Sequence, residues 1–169
     1  MKNPTIRRVA LFIGVFLMLT LAEYAGRQRM APFVNGIMTV QAGAGLINLI
    51  TPSAGVSGRG DRIESTTTSI QVAQGCEGID VMLMLVAAII AVPLGWRRKL
   101  AAGLIGTTVI YVLNLLRTAG LWYCLKYWPS GFEAMHVIVG QTVMIVVVVL
   151  ILGLAMRGTR PALAGTLAP

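Results

Sequence analysis

Long apolar runs alternate with short polar or basic breaks along the chain, and four of the runs read as membrane-spanning helices. Val9 to Ala22 carries no charge; with its flanks it predicts a first span over about 6–24, where Arg7, Arg8 and Glu23 can snorkel at the two ends. Arg27 and Arg29 then mark a surface segment. Gly75 to Trp96 predicts a second span over about 77–96, closed by Arg97-Arg98-Lys99. A third, over about 100–117, ends at Arg117, and a fourth, over about 135–156, is followed by Arg157 and Arg160. Between these two, Trp122, Tyr123, Tyr127 and Trp128 read as an interfacial aromatic belt, and Pro129-Ser130-Gly131 as a turn. A weakly structured tail is expected up to Pro169.

Two stretches break the pattern. Phe33 to Ile50 is uncharged but holds Asn35, Gln41, Asn48 and several glycines. It predicts an interfacial helix over about 33–50, stopped by Thr51-Pro52-Ser53, with a further span as the alternative. The polar stretch 54–74 carries a turn signal, Gly58-Arg59-Gly60-Asp61, between Val, Ile and Thr residues in partial alternation. It predicts a small β-hairpin. Its Arg59-Gly60-Asp61 triplet is read as turn chemistry, not as an integrin-binding tripeptide. The expected fold is an all-α membrane protein in a single domain, 1–169. It has about four transmembrane helices, an interfacial helix and a small extracytoplasmic β-hairpin, with no internal repeat.

Composition agrees. Hydrophobic residues make up 56 % of the chain, charged residues 12 %, and the mean hydropathy is +0.79, where a soluble domain carries about 25 % charged residues. The net charge of +8 is topogenic: the basic residues flank apolar runs instead of clustering with aromatics, so the lipid bilayer is the expected partner and nucleic acid is not. With four spans, the two tails and the Arg97–Lys99 loop share one side, which holds eight basic residues and no acid; the other side holds six basic residues and all six acids. The positive-inside rule places the first side in the cytoplasm. A fifth span would split the basic residues evenly and erase the bias. The basic start and the apolar run after it are read as an uncleaved anchor in preference to a signal peptide. Two cysteines are too few for a disulfide framework, and with no CxxC and one histidine neither a zinc site nor a bis-His haem site can be assembled from this chain alone.

The chemistry gathers around Gln74-Gly75-Cys76-Glu77-Gly78-Ile79-Asp80, where a polar segment opens into an apolar helix. A cysteine at a helix mouth meets unpaired N–H groups and the positive end of the dipole, which favour a thiolate. In the four-span topology Cys76 begins a helix running inward, Arg117 ends one running outward, and His136 begins another running inward. All three fall at one depth, near the outer membrane boundary. A thiolate attacks a carbonyl, an imidazole shuttles a proton near neutral pH, and a guanidinium steadies an oxyanion. Asn114, one turn before Arg117, is placed to orient it. Glu77 and Asp80 are dipole partners in the first turn or so and oppose thiolate formation. Taken singly, each member of the trio has a plainer reading: a small apolar residue at a helix start, an interfacial anchor, a cap. Cys124 lies on the same side, so a Cys76–Cys124 disulfide in a non-catalytic membrane scaffold or small transporter subunit is the alternative.

Gly75-Cys76-Glu77-Gly78-Ile79, Asn114-Leu115-Leu116-Arg117 and the later His136 resemble, in order, the three signature blocks of the exosortase/archaeosortase family. The similarity covers roughly Ala54 to Met156 and looks most like the small branch called exosortase H. Glu77 departs from the small polar residue of many relatives, and the extra N-terminal spans of larger members are missing. The resemblance implies a cysteine protease/transpeptidase of the bacterial inner membrane that needs no cofactor and has its site facing the outside. Its substrates are exported proteins with a C-terminal sorting tail: a short motif, a transmembrane helix and a basic cluster. Cys76 would be the nucleophile, Arg117 the cation for substrate or transition state, and His136 the base or acid.

Overall fold

The computed structural model of the chain describes residues 3–73 and 75–157; the tail expected to be weakly structured lies outside them. Asn3 starts α1 (Pro4–Ala31): its side chain accepts from the Thr5 amide at 3.0 Å, and Pro4 occupies the first turn, where its missing N–H is not needed. The stop expected after Tyr24 does not form. Arg27 instead reaches back one turn and donates to both oxygens of Glu23, at 2.8 and 2.9 Å, so these two charges are paired along the helix. The helical path continues through a π-helical segment (Pro32–Gln41) into α2 (Ala42–Ile50). The stretch 33–50 is thus helical as expected. It is also half-buried: Val40, Ala44 and Ile47 form one inward stripe.

Thr51 and Pro52 end α2, and the chain then folds into β1 (Ser57–Arg59), β2 (Arg62–Glu64) and β3 (Ser69–Gln71), one antiparallel sheet in the order β1-β2-β3. The hairpin read from the turn signal is present, with Gly60 and Asp61 at its tip, and β3 adds a third strand. Gly58, Ile63 and Ile70 stand in register across the sheet and face inward. The inward face packs on Val40, Ala44 and Ile47 and on Ala119, Leu121 and Trp122. Asn48 ties the start of the sheet down, exchanging hydrogen bonds with both backbone groups of Val56 at 2.7 and 2.9 Å. Trp122 is fully buried here and does not belong to a surface aromatic belt, whereas Tyr127 and Trp128 are exposed.

α3 (Ile79–Ala91), α4 (Trp96–Tyr127) and α5 (Gly140–Met156) form a second core around Leu85, Ile89, Ile110, Met144 and Val148. Gly106 lets α3 come close: a Cβ there would meet the Leu85 side chain at 2.5 Å. Among the described residues three helices are long and apolar enough to cross a membrane, Pro4–Ile50, Trp96–Tyr127 and Ala134–Met156. The expected second span is a helix of only 13 residues. Pro93 cuts it short, because the residue before a proline is driven out of the helical region and Val92 is extended. At about 20 Å α3 falls short of the roughly 30 Å hydrocarbon layer.

Candidate active site

The Cys76 loop joins β3 to α3 at the seam between the two cores. Gly75 and Gly78 flank the short turn that carries Cys76, with φ of +87° and +81°, a region that a side chain resists. Gly78 has a second reason to be glycine, since a Cβ would press on the Asn114 amide at 3.1–3.3 Å. Asn114 is 1 % exposed and donates through Nδ2 to the Cys76 carbonyl at 3.0 Å, while Thr118 Oγ1 donates to the Asn114 carbonyl at 2.9 Å. α4 therefore holds the loop by its backbone. Asn114 was expected to orient Arg117; its amide hydrogen bond goes to the Cys76 loop. Gly78→Ala is expected to destabilise the protein by about 1–2 kcal/mol through its left-handed backbone. Processing of a substrate should fall by more, since a displaced reacting atom costs up to about 10²-fold. Thermal unfolding in detergent and a processing assay read the two effects.

Cys76 Sγ lies 3.1 Å from His136 Nε2. His136 sits in a π-helical segment (Ala134–Val139) that leads into α5 and stacks on Phe132 one turn earlier, at 5.8 Å and 23°. Such wide turns recur at functional sites because they re-aim side chains. Arg117 Nη2 donates to the His136 carbonyl at 3.1 Å. Its Nε is buried without a hydrogen-bond partner among the described residues, so part of its fork of five donors is unspent. Cys76, Arg117 and His136 line one cavity of about 100 Å³, closed by Ile70, Val72, Thr118, Leu121 and Phe132.

The trio expected from topology is thus in one place, although Arg117 does not end its helix: α4 runs on to Tyr127. Glu77 and Asp80 stand outside the cavity. Glu77 accepts from the Gly75 amide at 2.6 Å and lines a separate cavity beside α1, and Asp80 is exposed in the first turn of α3. Both cysteines are free, with Cys124 Sγ donating to the Trp128 carbonyl at 3.5 Å, so the disulfide alternative is absent. Among the described residues no three His, Cys, Asp or Glu side chains converge to hold a metal.

Burial pushes the Cys76 thiol above its ordinary pKa; the Arg117 charge pulls it back and Glu77 adds to the rise. The resting group is a thiol that needs a base within reach. His136 Nε2 is within reach for that task, in the tautomer that carries its proton on Nδ1.

Two contributors escaped the sequence reading. Phe132 and Gly140 each stand four residues from His136, a spacing that would have pointed to both once the helix was assigned. A Cβ on Gly140 would collide with the Arg117 guanidinium at Nε. Gly140→Ala is expected to leave the helix intact, because alanine is the better helix former by about 1 kcal/mol. It should displace Arg117, remove its pull on the thiol and slow Cys76 alkylation by iodoacetamide at neutral pH. An unchanged alkylation rate would show that Arg117 keeps its place.

A protein-family model described as transmembrane exosortase matches residues 4–153 of the chain. No curated protein and no solved structure gives a significant match.

Proposed function

The chain belongs to the transmembrane exosortase family, and on that premise we propose that it is a membrane-embedded cysteine protease/transpeptidase of the protein-sorting type. It acts on exported proteins that carry a C-terminal tail of a short motif, a transmembrane helix and a basic cluster. The observation that carries this reading is the 3.1 Å approach of Cys76 Sγ to His136 Nε2 beside the Arg117 guanidinium. Counted over four crossings, with α3 as the short one, the distribution of basic residues supports cytoplasmic termini and a site facing the outside of the bacterial inner membrane.

The extended motif pairs with the free edge of β3, whose Ile70 and Gln71 line the cavity together with Val72 just beyond the strand. His136 Nε2 takes the Cys76 proton as Sγ attacks the scissile carbonyl carbon. The negative charge that develops on the carbonyl oxygen is met by Arg117. When the tetrahedral adduct collapses, the C–N bond breaks and His136 returns the proton to the leaving amine. The tail helix departs and a thioester remains on Cys76. An amine acceptor attacks the thioester, giving up its proton to His136; Sγ leaves and is reprotonated, and the new amide is released outside. Water in the same role gives a plain hydrolase. No step calls for a cofactor. Asn114 keeps the nucleophile in register, and Glu77 and Asp80 act on the loop and the α3 terminus from outside the cavity.

The test is co-expression with an exported reporter bearing such a tail, followed by mass spectrometry. A shortened reporter and a hydroxylamine-sensitive adduct on Cys76 are expected. Added mass at the new C-terminus distinguishes transfer to an amine from hydrolysis. A quantitative Cys76–Cys124 bond under non-reducing conditions would overturn the reading in favour of the scaffold.

A further inference from the structure

A groove runs between α4 and α5 on the outside of the bundle. Its upper part, about 280 Å³, is lined by Leu113, Leu116 and Gly120 on one helix and Val139 and Val143 on the other. Its lower part, about 300 Å³, is lined by Ala102 and Ile105 against Ile151 and Ala155, with Arg98 at the foot. Along α4 these positions fall on one face, so the two separate hollows lie in line and mark one track that is interrupted between Ile105 and Leu113. From Arg98 to Arg117 the track measures about 28 Å at the α-helical rise, close to the roughly 30 Å of a bilayer core.

The upper end of the track opens onto the catalytic centre. Arg117 and Leu121 line both the groove and the Cys76–His136 cavity. An occupant that spans both hollows is apolar over about a membrane thickness, and one that passes Arg117 enters a space of about 100 Å³ that admits extended peptide but no helix. The walls are set for a helix at close range: Gly120, Ala102 and Ala155 lower the rim where a neighbouring backbone would approach. A lipid chain meets the first demand and not the second.

We propose that the α4–α5 groove receives the transmembrane helix of the substrate's tail and feeds the residues outside that helix over Arg117 to Cys76. This rests on the sorting-transpeptidase reading above and adds the surface on which the substrate docks. It also gives Arg117 a second task as the gatepost between helix and extended peptide.

Disulfide trapping tests the surface separately from the chemistry. Both native thiols are removed with Cys76→Ala and Cys124→Ala, and single cysteines are placed at Leu116, Gly120 or Val143, or at Leu17 or Leu21 on α1 as controls. The probe is an exported reporter ending in a tail helix and a basic cluster, with one cysteine moved along that helix. Cross-links from the groove positions should recur every three to four residues of the tail and be absent from α1. Equal yield from α1, enzyme–enzyme dimers in place of enzyme–reporter adducts, or no adduct at all would overturn the proposal. In the otherwise intact enzyme, Gly120→Leu projects into open space, with nothing within 4 Å of the added Cβ. It should cut processing by more than tenfold and leave the rate of Cys76 alkylation unchanged; undiminished processing would overturn the proposal. Groove adducts without processing by the intact enzyme would sink the catalytic reading alone. Processing without groove adducts would sink the groove alone.

Discussion

Cys76→Ala is expected to abolish processing of a tail-bearing reporter, while Cys124→Ala leaves it at the wild-type level. The contrast follows from position. Cys76 Sγ faces His136 Nε2 at 3.1 Å inside the shared cavity, whereas Cys124 Sγ turns to the Trp128 carbonyl at the end of its own helix. Removing the sulfur removes the atom on which the acyl group would be carried, and no neighbouring cavity residue can replace it: Thr118 is buried and its hydroxyl is engaged by the Asn114 carbonyl. Cys76→Ser should fall nearly as far, because a hydroxyl is a much weaker nucleophile than a thiol with the same base beside it. An immunoblot of the reporter reads the outcome, and residual cleavage in Cys76→Ala would end the enzyme reading.

His136→Ala is expected to lower the rate at neutral pH by about 10²–10⁴-fold, the usual contribution of a positioned acid–base group, and to recover part of that loss as the pH rises. Burial holds the Cys76 thiol above its ordinary pKa, with Glu77 adding to the rise and Arg117 only partly offsetting it. A raised thiol pKa means a small thiolate fraction at neutral pH, smaller than for a free cysteine. Each unit of pH then multiplies that fraction by about ten until the raised value is passed. In the variant the rate should climb along this slope. In the wild type His136 accepts the proton during attack and the profile levels off earlier. Recovery stays incomplete because the leaving amine still lacks its proton donor, and an ester substrate with a better leaving group should recover further. A variant with a flat pH profile would remove His136 from the role of base.

The gathering of Cys76, Arg117 and His136 was legible because a topology assigns each residue a depth. In the expected topology a helix start, a helix passage and a second helix start share one side, which puts Cys76, Arg117 and His136 at one depth whatever their separation in sequence; packing across the bundle closes the remaining distance. What stayed hidden depends on features without a pattern of their own. The π-helical segments at Pro32–Gln41 and Ala134–Val139 depart from the 3.6-residue period that apolar spacing reports. Charge at Arg27 suggested a helix end, but its bond to Glu23 lets the helix run on. An apolar count from Gly75 to Trp96 suggested a full span, but Pro93 and the turn around Gly78 leave 13 residues of helix. The aromatic cluster looked interfacial, yet Trp122 serves the core beneath the sheet. Asn114 was recognised by its spacing from Arg117. Its partner across the fold, the Cys76 carbonyl, belongs to tertiary structure alone.

The overrun of α4 bears on the fate of the acylated enzyme. The helix continues roughly 15 Å beyond Arg117, and the three-stranded sheet leans on that extension with Trp122 beneath it. On the proposed mechanism a thioester at Cys76 would form on a half-buried loop beside this sheet, where reduced access of bulk water would slow its hydrolysis. Partial shelter of that kind would favour a bound amine acceptor over water, and so ligation over hydrolysis.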